Sequence, residues 1–285
     1  MMYFYNVSKE KISNEKFILS HFGSSPDVSA DRIDGMFAHQ NVYMILGNQV
    51  NVINTNNILV DRISIPDFTK LFSEFAKQFY IYEYQVKTGR SMRLVDLWED
   101  DPIGSAGPEV IDKKDISLTE LNELYKLFEP FEGLIYIDHV EFYIRESMLN
   151  INVIKRKRET NRFFLNKLKE RKNRSIAVGE DFRFKSNTEL VWQDLTFKLK
   201  DWAISRGYDS FVYENTKEGN GGDTYVTLLP NQGTCTGKVF KFCEQKYLAE
   251  MPLFIEKLYR KQNSHCILTK LMWGNQDPMH YWTTI

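Results

Sequence analysis

Apolar residues recur at helical spacing in several stretches of the chain, and each stretch has a recognisable start. Pro66 suits the first turn of a helix, and Phe68, Leu71, Phe72, Phe75 and Phe79 follow on one side. Ser117 and Glu120 form a capping box ahead of Leu121, Leu124, Leu127 and Phe128. Ser186 and Glu189 form another, and its helix runs through Trp192, Leu195, Phe197, Leu199 and Trp202 to Gly207, a left-handed cap. Glu244 to Lys261 puts Tyr247, Leu248, Met251, Phe254, Ile255 and Leu258 on one side of a further helix. Between these lie runs rich in β-formers: Met36 to Leu46, Tyr80 to Lys87, Gly133 to Ile144, Phe211 to Tyr213 and Tyr225 to Leu229. Separated strands and helices without regular alternation predict an α+β fold. There is no internal repeat.

The 285 residues are 42% hydrophobic and include 20 Phe and 15 Tyr, which is ample for a packed core and excludes wholesale disorder. A formal net charge of −1 gives no global attraction to nucleic acid or anionic membrane, so any such attraction is local. Cys235, Cys243 and Cys266 are odd in number and lack metal-ligand spacing, which reads as reduced thiols. No uncharged apolar run approaches the roughly 18 to 20 residues of a membrane span. The first residues lack the basic-then-apolar layout of a signal peptide. The expectation is a soluble protein without membrane insertion, either cytoplasmic or a secreted effector acting in a host cytosol.

Val153 to Arg174 departs from the average composition. Lys155, Arg156, Lys157 and Arg158 open it, Lys167, Lys169, Arg171, Lys172 and Arg174 extend it, and Phe163, Phe164, Leu165 and Leu168 give it a narrow apolar side. It reads either as a solvated helix face or as a docking surface for an acidic partner. Other chemistry is thin. His265 and Cys266 have no second pair at zinc spacing. The acidic run Asp96, Glu99, Asp100 and Asp101 is followed by loop-forming Pro102, Gly104, Gly107 and Pro108. No metal site is expected. A P-loop, a Rossmann fingerprint and a nucleophile elbow are all missing, so dehydrogenase use of a dinucleotide is disfavoured.

The most informative stretch is Gly207 to Gln232, GYDSFVYENTKEGNGGDTYVTLLPNQ. Two apolar strands flank an acidic, glycine-rich connection longer than a plain hairpin needs. Glu218 lies within it, with Glu214 and Asp223 at its rims. Carboxylates on a loop between rigid strands are a common way to place charge at a reacting centre.

This stretch resembles the last core hairpin of the ADP-ribosyltransferase superfamily, most closely phage and bacterial members reading approximately GYDGIVYxNxxEG…DSYIVFxPxQI. Near the start, Phe17 to Ser24 (FILSHFGS) resembles the first-strand element of these transferases, and Asp27 to Arg32 the small-residue helix and Arg that follow it. Tyr84 to Lys87 with Met92 to Leu97 is similar to their middle strand and NPLRLxDL segment. The pieces cover about a third of the chain and keep the family's order. The resemblance implies a split antiparallel β-sheet with flanking helices, NAD in the cleft, and a helical insertion. On that reading residues 1–112 and 186–285 form the core and residues 113–185 the insertion.

It also implies roles. NAD carries its own leaving group, and breaking the nicotinamide–ribose bond leaves an oxocarbenium-like centre that a carboxylate stabilises. His21 is expected to bond the adenine-side ribose, Gly23 to clamp nicotinamide through its backbone, and Ser24 to bond the nicotinamide-side ribose. Arg32 suits a pyrophosphate contact. Phe22 and Tyr225 complete the expected NAD-contacting set. One branch of the family has its catalytic Glu where this chain has Thr224. The more similar relatives put Ser there and carry an acid in the loop, which ranks the candidate acids Glu218, Asp223, Glu214. The expected acceptor is a protein, because the insertion and basic segment offer a broad docking surface.

Each residue also has a plain structural reading. His21 suits a satisfied polar position on a strand edge, and Ser24 suits the cap of the helix after Pro26. Tyr213 and Tyr225 suit cross-strand packing, Gly219, Gly221 and Gly222 suit a turn, and Glu218 suits a solvated loop. Two other functions therefore stay open: a non-catalytic binding module on the same fold, favoured by Thr224, and a metal-dependent nucleic-acid-processing protein using the basic segment.

Overall fold

The runs of aromatic and β-branched residues become strands: β1 (Tyr3–Ser8), β2 (His21–Gly23), β3 (Asn41–Leu46), β4 (Gln49–Asn54), β5 (Leu59–Ser64), β6 (Tyr80–Val86), β7 (Ser91–Leu94), β8 (Ser210–Glu214), β9 (Asp223–Thr227), β10 (Gly233–Phe242), β11 (Cys266–Ile267) and β12 (Trp282–Thr284). The helices are α1 (Pro26–Ala38), α2 (Ile65–Ala76), α3 (Leu118–Phe128), α4 (residues 197–205) and α5 (Glu244–Gln262), with a 3-10 turn at Pro278–Tyr281. These elements come from a computed structural model, which describes residues 3–11, 19–38, 41–54, 56–94, 116–128, 197–215, 221–262, 266–267 and 277–285. The fold is α+β. It divides into two compact units, Met1–Thr88 with Asn215–Ile285, and Gly89–Glu214.

In the first unit the larger sheet runs β12-β10-β6-β1-β2-β9, with each adjacent pair of these strands antiparallel. A four-stranded antiparallel sheet, β11-β3-β4-β5, accompanies it. Side chains alternate across a strand, and β1 shows the result. Tyr5 and Val7 pack on a core that includes Ile33, Tyr43, Phe68, Phe72, Tyr247 and Tyr281. Phe4 joins a second cluster with Phe22, Tyr82, Tyr84 and Val86.

Helix ends follow their sequence signals. Ser64 Oγ accepts from the Asp67 N–H (3.1 Å) and opens α2, with Pro66 in its first turn. The helix stops at Ala76, so Phe79 belongs to the turn that leads into β6; its N–H bonds Ala76 O at 3.1 Å. The Ser117–Glu120 box is reciprocal: Glu120 accepts from the Ser117 N–H at 3.0 Å, and Ser117 Oγ from the Glu120 N–H at 3.3 Å. Gly207 caps α4 with φ +80°.

The strand expected from Met36 needs correcting. Met36 to Ala38 are the last residues of α1, and the strand starts at Asn41. Phe37 explains this. From the helix it stacks on Tyr43 (5.0 Å) and meets Phe68 and Phe72 edge to face, which packs its half-buried ring against the core. Strand β9 covers Asp223–Thr227 rather than Tyr225 to Leu229. The expected strand Gly133–Ile144, the Ser186–Glu189 box and the basic segment Lys155–Arg174 lie outside the described residues.

In the second unit β7 and β8 pair parallel, Ser91 opposite Ser210 through Leu94 opposite Tyr213. Here the pairing departs from the antiparallel sheet expected. The long stretch of chain between the two strands supplies the crossover a parallel pair requires.

Candidate functional site around strands β2 and β9

Strand β2 lies between β1 and β9. Phe22 stands opposite Tyr225, His21 opposite Val226 and Gly23 opposite Thr224. The pairing extends beyond the strands: the Ser24 N–H donates to Asp223 O (3.0 Å) and the Thr227 N–H to Ser20 O (3.2 Å). Leu19, at φ 58°, turns the chain into β2 while its N–H bonds Thr227 O at 2.7 Å. On the other side β1 and β2 meet at Tyr5 and Gly23. Asn6 bridges them further along, its Nδ2 donating to His21 O at 2.7 Å.

Gly23 is needed for packing. A Cβ there would lie 2.6 Å from Val28 Cβ, so the space left by the missing side chain is taken up by the first turns of α1. Phe22 is fully buried with its ring edge-on to Tyr84 (5.4 Å), and Tyr225 is half-buried and edge-on to Phe4 (4.9 Å). Thr224 is 2% exposed, and Asn215 Nδ2 lies 3.5 Å from its Oγ1. Position 224 is therefore sealed as well as uncharged. Ser24 is exposed, and Asp223 and Arg32 are partly so.

The paired strands thus bring together His21, Phe22, Gly23, Ser24, Asp223 and Tyr225, from opposite ends of the chain. Arg32 lies farther along α1. Glu214 ends β8 in the second unit and is exposed. Glu218 lies outside the described residues. The turn itself is tied by the Asn215 N–H donating to Gly222 O (3.0 Å), with Gly221 at φ 85°.

Sequence reading missed a second polar constellation. Glu83 on β6 is 7% exposed and accepts from the Tyr5 hydroxyl (3.2 Å), Thr236 Oγ1 (2.9 Å) and Lys238 Nζ (3.2 Å). A bulge in β10 between Cys235 and Val239, with Gly237 at φ 92°, folds Thr236 and Lys238 onto the carboxylate. Burial, then the Glu83 charge, pushes the Tyr5 phenol up to about 12. Tyr5 stands opposite both Gly23 and Glu83, so Thr224, Gly23, Tyr5 and Glu83 form one cross-strand row. The signal was a single acid inside the aromatic strand YIYEYQV.

A cavity of about 390 Å³ lies at the start of α5, lined by Lys77, Lys241, Phe242, Cys243, Glu244, Gln245 and Thr283. It shares no residue with β2 or β9. Among the described residues, no group of three or more His, Cys, Asp or Glu side chains could hold a metal ion. No helix among them is long and apolar enough to cross a membrane. Compared with known protein families, curated proteins and solved structures, the chain matches none.

Proposed function

We propose that the chain is an NAD-dependent ADP-ribosyltransferase with its NAD site along β2, β9 and the start of α1. The observation that carries this reading is the direct pairing of His21–Gly23 with Thr224–Val226, continued by Ser24 on Asp223. Two motifs singled out for one ligand, and separated by most of the chain, become neighbouring strands. In the reaction an acceptor nucleophile bonds the ribose carbon while the nicotinamide–ribose bond breaks. Nicotinamide leaves as a neutral molecule with that electron pair, and the acceptor's proton passes to a carboxylate or to water. Asp223 supplies a partly exposed carboxylate on the strand beside Ser24, and Glu218 follows as the loop acid of the resemblance. The acceptor class is a protein side chain, with Lys155–Arg174 as the docking segment for an acidic partner.

A binding module without catalysis is the second reading. It is favoured by the sealed Thr224 and by Val28 filling the place of a side chain at Gly23. One experiment separates the two: NAD binding by calorimetry and nicotinamide release by chromatography, on the parent chain and on His21→Ala, Glu218→Ala and Asp223→Ala. The transferase reading expects binding lost in His21→Ala, and release lost in one acidic variant that still binds. Binding without release, with or without candidate acceptors, supports the module. A parent chain that does not bind NAD overturns the transferase reading and leaves a module that binds another partner.

A further inference from the structure

We propose that Lys246, His280 and Glu250 form a reactive amine centre, in which Lys246 takes up a small neutral aldehyde as an imine. The centre belongs to the first unit and shares no residue with β2 or β9. Lys246 Nζ stands 3.2 Å from His280 Nδ1, and Glu250 Oε2 lies 3.0 Å from Nε2 on the other side of the ring. A nucleophile within hydrogen-bond reach of a base, with the base oriented by a third group, is the arrangement that activates a side chain for covalent chemistry.

Two elements build it. Lys246 and Glu250 are one turn apart on α5 and share a face. His280 comes from the 3-10 turn Pro278–Tyr281, which packs on that helix. Asp277 holds the turn at its start: its Oδ1 accepts from the Met279 N–H and its O from the His280 N–H, both at 2.8 Å. On the other side of His280, Tyr281 is buried against Tyr247 (5.1 Å), and its O accepts from the Cys243 N–H at 2.6 Å. A fixed backbone therefore presents the imidazole to α5. The His280 and Glu250 side chains stay 32% and 41% exposed and Lys246 is partly exposed, so a small solute can reach them.

The hydrogen bonds assign the protons. An ammonium only donates, so His280 Nδ1 accepts and the neutral ring carries its proton on Nε2, facing Glu250. Lys246 also donates to His280 O at 3.0 Å. Two of its three N–H groups are thus held by one residue, and the third points away from it. When that third proton leaves to water, the lone pair it uncovers also points away from the ring. The lone pair bonds the aldehyde carbon as the C=O π pair moves to oxygen. His280 Nδ1 takes one held proton from the cationic nitrogen and passes it to that oxygen. A second transfer by the same route releases the oxygen as water and leaves the imine, so one aldehyde and one amine give one imine and one water. Glu250 is the positioning residue: its carboxylate supports the imidazolium formed in between and disfavours an anionic substrate.

The test treats the full chain with propanal and sodium cyanoborohydride, which traps an imine as a secondary amine, and follows labelling at neutral pH by peptide mass mapping. Lys257, exposed on the same helix, is the reference. Lys246 should label about tenfold faster; a positioned base contributes about 10²–10⁴ in an enclosed site, and a partly exposed ring keeps less of it. His280→Gln should bring the two lysines level. Glu250→Gln keeps a hydrogen-bond acceptor without the charge and should fall between, and it decides alone if His280→Gln does not fold by circular dichroism. A variant that merely loosened the turn would expose Lys246 further and raise its labelling, so a fall reports the base. Equal labelling of Lys246 and Lys257 in the parent overturns the proposal, as does a parent rate at Lys246 in both variants.

Discussion

Gly23 shows what a single position reveals in sequence and what it hides. The order of the motifs singles it out beside His21, but not which neighbour would occupy the space of its missing side chain. That depends on how closely α1 packs back on β2, and the structure puts Val28 there. Gly23→Ala should therefore destabilise the fold by about 1–3 kcal/mol through overpacking, with no ligand present. Val28→Gly removes the clashing Cβ at the cost of a weaker helix start. In the double variant the two effects should couple by about 1 kcal/mol in the favourable direction, read from urea unfolding of all four chains. Zero coupling would return Gly23 to a purely ligand-facing role. Glu83 was illegible for a similar reason: its partners Tyr5, Thr236 and Lys238 come together only through pairing register and a bulge.

Elements were legible where two independent signals coincided. Helix α2 pairs Pro66 in its first turn, and α3 a capping box, with apolar periodicity; both helices form, α2 ending before Phe79. Strands β4, β5 and β10 gave weaker signals because polar residues interrupt them and bulges break the alternation of β5 and β10. In the second unit, capping of α3 merges with packing at one side chain. Arg90 lies over the Tyr208 ring (3.9 Å) and donates to Arg206 O (2.8 Å), the Tyr208 hydroxyl (2.9 Å) and Glu120 Oε1 (3.3 Å). Glu120 is the capping-box acid of α3; the Ser117 hydroxyl first, with Tyr208 and Arg90 adding, holds its carboxyl below the usual range. Arg90 thus ties α3 to the end of α4 through planar geometry as much as charge. Arg90→Lys keeps the charge and loses the fork and stack. It should lower stability by about 1 kcal/mol, a modest figure because the side chain is half exposed. An unchanged urea midpoint for Arg90→Lys would reduce the hub to simple charge.

At the scale of the molecule, the first unit is discontinuous in sequence: it is built from both ends of the chain, and the residues of the second lie between them along the chain. Its larger sheet interleaves the two pieces, since β10 pairs with β6 and β9 with β2. Neither piece can satisfy its own strand edges or close its own core. The shared motif order foreshadowed this closure between the first and last thirds of the chain, but not the part played by the final residues. Tyr281 and Trp282 are 1% and 6% exposed, and they meet Tyr247 (5.1 Å) and Phe242 (5.6 Å). Emptying the site of a buried aromatic ring typically costs about 3–5 kcal/mol, against about 5–15 kcal/mol for a whole domain. A chain ending at residue 276 loses both rings, β12 and the cap at Asp277, so its first unit should be unfolded or nearly so at 25 °C. Trp282→Ala loses one ring and should still fold, with a clearly lowered melting temperature. Circular dichroism on heating distinguishes these outcomes. A truncated chain that melts with the parent would show that residues 277–285 only rest on a core already complete without them, and would leave the β10–β6 and β9–β2 pairings, with α2 packed on α5, to hold the two ends of the chain together.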